Sequence, residues 1–278
     1  MNTESYYARL RLPDVISVQS QVIRGCVGNS IALPALTRHG LDVLAVPTCI
    51  FGHTPDGQPK TGGEMPAAWF RAFLSDISRR GLDTGLRAAI TGYLGTFSKG
   101  EELFQWLSRC LIKRPDLMIV MDPVLGDEDT GYYVESVLTS CYREKLLPLA
   151  TGLRPNLFEL ECLTGRELRD ERDIAQAAKS LICGRTRWVA VTSAIRSPDN
   201  RKVGVMCVTA SSYFVIHHDF YPGAPKGTGD LFTAELTAAL LRGLTLDDAV
   251  KSACAMTRQS IVEALESRSE QLKPASSY

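Results

Sequence analysis

Apolar positions along the chain fall into two patterns that alternate. Five short runs are rich in β-branched residues and apolar at nearly every position, which is typical of parallel strands buried on both faces; they cover residues 15–18, 43–46, 88–91, 117–121 and 188–192. Between them, helical spacing predicts helices over residues 30–39, 66–79, 99–113, 135–146 and 174–183. The alternation predicts an α/β fold, a doubly wound and mainly parallel central sheet flanked by helices.

The last third of the chain has a different pattern. Residues 203–209 and 213–217 are strand-like and are separated by Ala210, Ser211 and Ser212, which predicts an antiparallel hairpin. Two helices follow, over residues 230–241 and 246–266. The sequence contains no repeat and no convincing linker. We therefore expect a single domain over residues 1–278, with flexible tails at 1–13 and 268–278.

Composition narrows the class of protein. The chain has 278 residues, with 31 Lys and Arg against 31 Asp and Glu and no basic stripe, so neither nucleic acid nor a membrane is expected as a partner. The 8 cysteines are scattered through apolar runs without a zinc-binding spacing, which favours reduced core residues. The polar N-terminus lacks the apolar centre of a signal peptide, and no apolar run has the length of a membrane span. We expect a cytoplasmic globular protein.

Polar residues follow the predicted parallel strands at their carboxyl ends, where ligands bind in folds of this class. Each of them alone is typical of a cap or a turn, but their recurrence at one edge of the sheet predicts a common cleft. The residues are Ser20, Gln21, Thr48, Gly92, Tyr93, Asp122, Thr192 and Ser193.

The segment with the most specific chemistry is Lys-Gly-Thr-Gly-Asp at 226–230, which runs directly into an apolar helix. The glycines beside Thr228 let backbone N–H groups close on a phosphate, and the positive end of the helix dipole points to the same place. Asp230 is placed to accept a proton from an attacking hydroxyl. This combination fits phosphoryl transfer to an alcohol. It fits equally an ordinary turn at Gly227 and Gly229 with Asp230 as a helix cap.

Three further residues carry candidate chemistry. Asp122 precedes a turn, where it is placed either to act on metal-bound phosphates or to bond its own backbone. Asn156 and Glu159 have the spacing of a helix capping box, and the Glu159 carboxylate would also suit Mg²⁺; the two uses are compatible. Lys226 is expected to be solvated or to attract a phosphate, and with an aldehyde substrate its amine could form a Schiff base.

Several common catalytic motifs are missing from the sequence. There is no G-x-x-x-x-G-K-[ST] stretch, which excludes the usual P-loop mechanism. The turn at Gly227 and Gly229 lacks the third glycine of a dinucleotide fingerprint, which argues against a nicotinamide enzyme. The 4 histidines have no metal-binding spacing.

Taken together, these residues resemble the pyridoxal kinase family of the ribokinase-like superfamily, and most closely its pyridoxine/pyridoxal/pyridoxamine kinases. The resemblance covers residues 15–262 and rests on seven segments that occur in order at matching spacing. They are Val-Gln-Ser-Gln-Val at 18–22, Gly-Asn-Ser at 28–30, Thr-Gly-Tyr-Leu-Gly at 91–95, Met-Asp-Pro-Val at 121–124, Pro-Asn-x-x-Glu at 155–159, Val-Thr-Ser at 191–193 and Gly-Thr-Gly-Asp at 227–230.

The resemblance implies a reaction and a set of site residues. The expected protein is a homodimeric kinase that uses ATP, Mg²⁺ and a monovalent cation such as K⁺ to phosphorylate the 5′-hydroxymethyl group of pyridoxal, pyridoxine or pyridoxamine in vitamin B6 salvage. Asp230 would be the base, with Gly227, Thr228 and Gly229 as the anion hole. The vitamer would meet Ser20, Thr54, Asp56 and Asp230. ATP would meet Asp122, Arg154, Glu159, Thr192, His218, Asp219, Phe220, Tyr221 and Thr228, with Tyr133 and Glu159 at the Mg²⁺ site.

Two positions depart from the family pattern. Asp56 stands where family members carry a substrate-contacting histidine, with His53 nearby, and Arg154 stands where they carry a threonine near the nucleotide. Both departures bear on vitamer preference more than on the reaction type. Asp230 favours the vitamin B6 branch, since the related hydroxymethylpyrimidine kinases usually carry cysteine there. Two alternatives stay open: a hydroxymethylpyrimidine kinase of the same fold, and a catalytically weak carrier of the vitamer or of pyridoxal 5′-phosphate.

Overall fold

The structure, a computed structural model, describes residues 11–54, 61–197, 199 and 201–275. Its strands are β1 (Val15–Arg24), β2 (Val43–His53), β3 (Gly62–Glu64), β4 (Ala88–Thr91), β5 (Met118–Met121), β6 (Gly126–Asp127), β7 (Gly131–Tyr132), β8 (Gly152–Leu153), β9 (Trp188–Arg196), β10 (Lys202–Thr209) and β11 (Tyr213–Asp219). Within the described chain, one 9-stranded sheet has the order β11–β10–β9–β8–β5–β4–β1–β2–β3, and β6 pairs with β7 separately.

The centre of the sheet is parallel. β1 pairs in parallel with both β2 and β4, and the parallel pairing continues through β5, β8 and β9. The remaining members, β3, β10 and β11, are antiparallel. The predicted α/β fold is therefore confirmed, and so is the antiparallel hairpin, which β10 and β11 form at one edge of the sheet. The sequence pattern did not show β3 and β8, because strands of two or three residues are too short to carry a periodicity.

The α-helices of the described chain are α1 (Asn29–Arg38), α2 (Ala67–Arg79), α3 (Phe97–Lys113), α4 (Val137–Cys141), α5 (Leu157–Thr164), α6 (Glu171–Ser180), α7 (Thr228–Leu241) and α8 (Leu246–Glu266), and short 3₁₀ helices span Leu82–Gly85 and Leu147–Leu149. The side chains of Thr96 and Asp170 accept hydrogen bonds at the starts of α3 and α6, so both helices begin earlier than predicted. The predicted helix at 135–146 is divided, because α4 is continued by a π-helical turn, Tyr142–Leu146.

Helices cover both faces of the sheet, and successive strand residues point to opposite faces. Ile16 belongs to the core cluster that contains residues of α2 to α6, whereas its neighbour Val15 belongs to the cluster that contains residues of α1, α7 and α8. In β5, Ile119 and Val120 divide between the two faces in the same way. Because both faces are covered, the central strands are apolar at nearly every position instead of alternating.

The last described residues pack against this core. We predicted a flexible tail from residue 268, but Leu272 and Ala275 are 1% and 0% exposed, and the Cys26 thiol donates to the Leu272 carbonyl at 2.7 Å. The tail packs because burial of these apolar side chains removes them from water. Residues 1–10 and 276–278 of the predicted tails lie outside the described residues.

Two expectations from composition can be compared with the structure. All the cysteines are free, and most of them are buried, but Cys162 is half-buried and Cys183 is exposed, so the expectation of a core position is wrong for Cys183. Among the described residues, no helix combines the length and the apolar character that a bilayer crossing requires.

Candidate active site

Residues 227–230 turn the chain into α7. Gly227 has a φ of 98°, in the left-handed region, and a Cβ there would lie 1.6 Å from the Cys26 carbonyl oxygen. Only glycine fits this position. Gly227 is also the N-cap residue and makes no side-chain cap, so it leaves the first N–H groups of α7 to other partners. The positive end of α7 is therefore suited to an anion.

Asp230 contacts a glycine far away in the sequence. Its Oδ2 accepts a hydrogen bond from the Gly28 N–H at 2.9 Å, across a separation of 202 residues. Gly28 has a φ of 57°, and a Cβ there would lie 2.2 Å from the carbonyl oxygen of Ser20 and 2.3 Å from its hydroxyl oxygen. Ser20, Gly28 and Asp230 thus form one contiguous group.

Ser20 lies within a strand and does not follow one. β1 and β2 continue beyond their predicted ends, and their pairing shifts register between Gln19 and Gln21. A bulge of this kind re-aims a side chain, and here the Ser20 hydroxyl lies against Gly28. The expectation that these polar residues come after strand ends is also wrong for Gln21, Thr48, Thr192 and Ser193, which lie in β1, β2 and β9.

A buried ion pair lies against the turn. The Arg154 guanidinium donates to Asp122 Oδ2 and to the Thr192 hydroxyl, the latter at 3.1 Å. The side chains of Arg154 and Asp122 are only 8% and 1% exposed. A Cβ on Gly229 would lie 2.8 Å from Arg154 Nη1, so the guanidinium rests directly on this glycine. The structure thus brings together Asp122, Arg154, Thr192 and Gly229.

The short strand β8 explains where Arg154 lies. Arg154 follows β8 directly, and its N–H donates to the Met121 carbonyl at the end of β5, at 2.8 Å. The Thr192 N–H donates in turn to the Pro155 carbonyl at 3.0 Å, which ties the residue after Arg154 to β9. The sequence showed Arg154 as a departure from the family, but no local signal indicated its contact with Gly229.

Three carboxylates share this buried centre. Burial and the charge of Asp122 raise the pKa of Asp230 to about 6, although the Gly28 N–H and Arg154 act in the opposite direction. Burial and Asp122 likewise raise the pKa of Glu159 to about 8, and burial raises the pKa of Asp122 against the attraction of Arg154. Asp230 keeps part of its surface exposed to solvent. It is therefore ionised at neutral pH yet basic enough to take up a proton, as a general base must be.

Glu159 has a structural task. Its Oε2 accepts from the Asn156 N–H at 2.8 Å while Asn156 Oδ1 accepts from the Glu159 N–H at 2.8 Å, which confirms the predicted capping box at the start of α5. Its Oε1 accepts from the Leu125 N–H at 3.1 Å. Both oxygens of this buried carboxylate therefore already bind backbone donors.

Tyr133 and Lys226 meet at Asp127, on the β6–β7 hairpin. The Tyr133 hydroxyl donates to Asp127 Oδ2, and Lys226 Nζ lies 3.8 Å from the same oxygen. The Tyr133 N–H donates to the Leu125 carbonyl at 2.7 Å, so Tyr133 is linked through Leu125 to Glu159. The side chain of Lys226 is 61% exposed, which leaves its amine open to solvent beside the turn.

The segment 218–221 leads from β11 towards the turn. His218 and Asp219 end β11, and Phe220 and Tyr221 follow it. The Arg196 guanidinium, at the end of β9, lies over the Phe220 ring, 5.5 Å from its centre. The segment therefore lies beside the carboxyl end of β9, the strand that carries Thr192.

Thr54 lies near the group formed by Ser20 and Gly28. Its N–H donates to the Arg24 carbonyl at 3.0 Å, and its hydroxyl oxygen would lie 1.9 Å from a Cβ on Gly25. Thr54 is thus packed on the segment that connects β1 to Gly28. Asp56, the other residue predicted here, lies outside the described residues.

Sequence reasoning missed a buried lysine. Lys99 Nζ donates to the Thr48 carbonyl at 2.7 Å and to the Glu64 carboxylate, which also accepts from the Tyr93 hydroxyl at 2.9 Å. These contacts fix the edge strand β3 to Tyr93, the second residue after β4. A signal existed, because Lys99 lies in the first turn of α3, where the helix dipole disfavours a cation.

Known proteins with similar sequences are kinases. A family model described as phosphomethylpyrimidine kinase matches residues 35–274. A pyridoxine/pyridoxal/pyridoxamine kinase from Bordetella bronchiseptica is 44% identical over 255 residues, which cover 91% of this chain and 88% of that protein. A pyridoxal kinase from Rubrobacter xylanophilus is 31% identical over 256 residues, with 91% and 87% covered.

Solved structures agree with these sequence relatives. The pyridoxal kinase from Leishmania donovani in complex with ADP and pyridoxine has a TM-score of 0.85 at 26% identity, covering 94% of this chain and 90% of that chain. The pyridoxal kinase from Entamoeba histolytica has a TM-score of 0.85 at 22% identity, covering 91% and 90%, and shows the same fold. On the sequence relatives and on this fold, the chain belongs to the pyridoxal kinase family.

Proposed function

We propose that this protein is an ATP-dependent kinase that phosphorylates the 5′-hydroxymethyl group of pyridoxal, pyridoxine or pyridoxamine. The observation that carries the proposal is the position of Asp230 at the start of α7, bonded to Gly28 and adjacent to the turn at Gly227 and Gly229. Relatives at 44% and 31% identity are named as kinases of these vitamers, and one solved relative is described with ADP and pyridoxine.

In this reaction a proton and a phosphoryl group move to different acceptors. Asp230 accepts the proton of the 5′-hydroxyl while that oxygen forms a bond to the γ-phosphorus, and the bond from phosphorus to the bridging oxygen breaks to leave ADP. The N–H groups of residues 227–229 and the dipole of α7 stabilise the charge on the transferred phosphoryl group. Positioning supplies most of the acceleration, and the base contributes about 10²–10⁴-fold.

The other site residues are assigned by their place around this turn. Contact of Ser20 with Gly28 and of Thr54 with Gly25 supports a vitamer site on that side, to which we also assign Asp56. The nucleotide is assigned to Asp122, Arg154, Glu159, Thr192, Thr228, His218, Asp219, Phe220 and Tyr221.

Mg²⁺ fits the acidic centre. Asp122 Oδ1 is buried and has no hydrogen-bond partner among the described residues, and a hydrated Mg²⁺ would supply one. Both carboxylate oxygens of Glu159 already accept hydrogen bonds from backbone N–H groups. We therefore propose that Glu159, together with the neighbouring Tyr133, contacts Mg²⁺ through water molecules bound to the ion. The described residues contain no cluster of three or more His, Cys, Asp or Glu side chains that could hold a metal ion directly, so the assignment rests on Asp122. When bound, Mg²⁺ would neutralise charge on the ATP phosphates.

Three finer properties belong to the same proposal. The family resemblance implies a homodimer, and light scattering would test this. The free cysteines suit the reducing environment of the cytoplasm.

The exposed amine of Lys226 is placed to form a Schiff base with the aldehyde of pyridoxal 5′-phosphate. Borohydride reduction followed by mass spectrometry tests this: the added mass is expected to disappear in Lys226→Ala, and its persistence there would end the idea.

A hydroxymethylpyrimidine kinase is the second candidate, because the matching family model is described as phosphomethylpyrimidine kinase. Both candidates use the same turn and the same kind of acceptor alcohol. Asp230 favours the vitamin B6 vitamers over hydroxymethylpyrimidine. A carrier that binds vitamers without transferring phosphate is the third, and the intact turn at 227–230 argues against it.

The deciding experiment compares four alcohols side by side: pyridoxal, pyridoxine, pyridoxamine and hydroxymethylpyrimidine, each with ATP, Mg²⁺ and K⁺. We expect phosphorylated vitamers and slower turnover of hydroxymethylpyrimidine. Faster turnover of hydroxymethylpyrimidine than of every vitamer would establish the second candidate. Tight vitamer binding by folded protein without ATP consumption would establish the carrier.

A further inference from the structure

The buried centre behind the phosphate turn already contains a fixed cation. The guanidinium of the buried Arg154 interacts with the carboxyl groups of Asp122, Glu159 and Asp230. Arginine stays protonated in proteins, so the centre carries one positive charge before any ligand binds. The family resemblance, by contrast, implies a diffusible monovalent cation such as K⁺.

The position of this guanidinium is set from several sides. The Arg154 N–H is bound to the Met121 carbonyl at 2.8 Å, and its side chain donates to Asp122 and Thr192. Gly229 provides the space, since a Cβ there would lie 2.8 Å and 2.9 Å from the two terminal nitrogens. The positive charge therefore rests on the same turn that is suited to an anion.

A K⁺ ion does not fit beside this guanidinium. Such an ion needs oxygen ligands, and Asp122 Oδ2 and the Thr192 hydroxyl already bind Arg154. Arg154 Nε is buried and has no hydrogen-bond partner in the described part of the chain, so the protein contacts leave one donor of the guanidinium unused.

We propose that the Arg154 guanidinium is the built-in monovalent cation of the phosphate site, so that nucleotide binding and phosphoryl transfer do not require K⁺. The turnover part of this inference rests on the proposed kinase function. The nucleotide-binding part does not, because it is measured without an acceptor alcohol.

The test is calorimetric titration of MgADP into wild type, Arg154→Thr and Arg154→Lys, in KCl and in tetramethylammonium chloride of equal ionic strength. Wild type is expected to bind MgADP equally in both salts. Arg154→Thr is expected to bind roughly 10–100-fold more weakly without K⁺, the factor for one lost charge-assisted hydrogen bond, and to regain affinity with K⁺. Arg154→Lys keeps a positive charge and is expected to remain indifferent to K⁺.

Arg185→Thr is the matched control. Arg185 Nε is also buried without a hydrogen-bond partner among the described residues, but this guanidinium donates to the carbonyls of Pro115 and Leu117 and not to the site. Its loss is expected to leave MgADP binding independent of K⁺. Rescue by K⁺ confined to Arg154→Thr is a result that a merely structural role of Arg154 would not produce.

Three results would overturn the inference: a wild type that binds MgADP roughly tenfold more weakly without K⁺, an Arg154→Thr variant that matches wild type in both salts, or an Arg154→Lys variant that depends on K⁺. The first and third apply even if Arg154→Thr does not fold. K⁺-independent MgADP binding without turnover of any vitamer would refute the proposed function and leave this inference standing.

Discussion

Replacement of Asp230 by asparagine removes the proposed base while keeping its shape. The asparagine oxygen can still accept the hydrogen bond from the Gly28 N–H, which spans 2.9 Å in the wild type, but the side chain cannot take up a proton. We expect kcat for pyridoxal to fall by about 10²–10⁴-fold, the usual contribution of a general base. That loss corresponds to about 3–5 kcal/mol of transition-state stabilisation.

The Asp230→Asn variant is expected to be at least as stable as wild type, although its turnover falls. The pKa of Asp230 is about 6 in the folded protein against 3.8 for an ordinary carboxyl, because burial and Asp122 disfavour its charge. The folded protein therefore holds this proton more tightly than the unfolded chain, and stability is lost as the pH rises from 3.8 through about 6. The full penalty at neutral pH is at most about 3 kcal/mol, since a tenfold change in acidity corresponds to about 1.4 kcal/mol. Asp230→Asn escapes this penalty and should melt at the same temperature as wild type or above it.

The assay is vitamer turnover across pH, combined with thermal melting of both proteins. The kcat/KM of wild type should fall on the acid side of about pH 6, where Asp230 takes up its proton. The residual activity of Asp230→Asn should lack that acid limb. Asp170→Asn, at the cap of α6, is the control and should keep the wild-type profile. A folded Asp230→Asn enzyme with near-normal turnover would refute the assignment of the base, and a much lower melting temperature would refute the electrostatic reasoning.

Substitutions at three further positions test the framework of the site. Gly227→Ala should lower both stability and turnover, because its Cβ would lie 1.6 Å from the Cys26 carbonyl oxygen; a stable, active variant would contradict the turn geometry. Asn156→Ala should cost about 1 kcal/mol in urea denaturation through loss of the capping box, and an unchanged midpoint would argue against that role. Glu64→Ala leaves the buried Lys99 without its carboxylate and should cost about 1–3 kcal/mol, whereas Glu64→Gln, which can still accept a hydrogen bond, should cost less.

The sequence alone determined the class of fold and the local features. Buried strands and helices leave periodic patterns, so the predicted strand at 88–91 and helix at 246–266 coincide with β4 and α8. The capping box of Asn156 and Glu159 was predictable because both residues belong to one helical turn. The ordered motifs were enough to indicate the pyridoxal kinase family, and the comparisons confirm it.

Only the tertiary structure decided which of these residues meet. Asp230 bonds to Gly28 across 202 residues, and Arg154 reaches Gly229 because the two-residue strand β8 lies between β5 and β9. Local patterns record the periodicity of one element and contain no information on the packing between elements. The raised pKa of Asp230 follows the same rule, because burial and the neighbouring charge of Asp122 exist only once α7 has packed against the sheet.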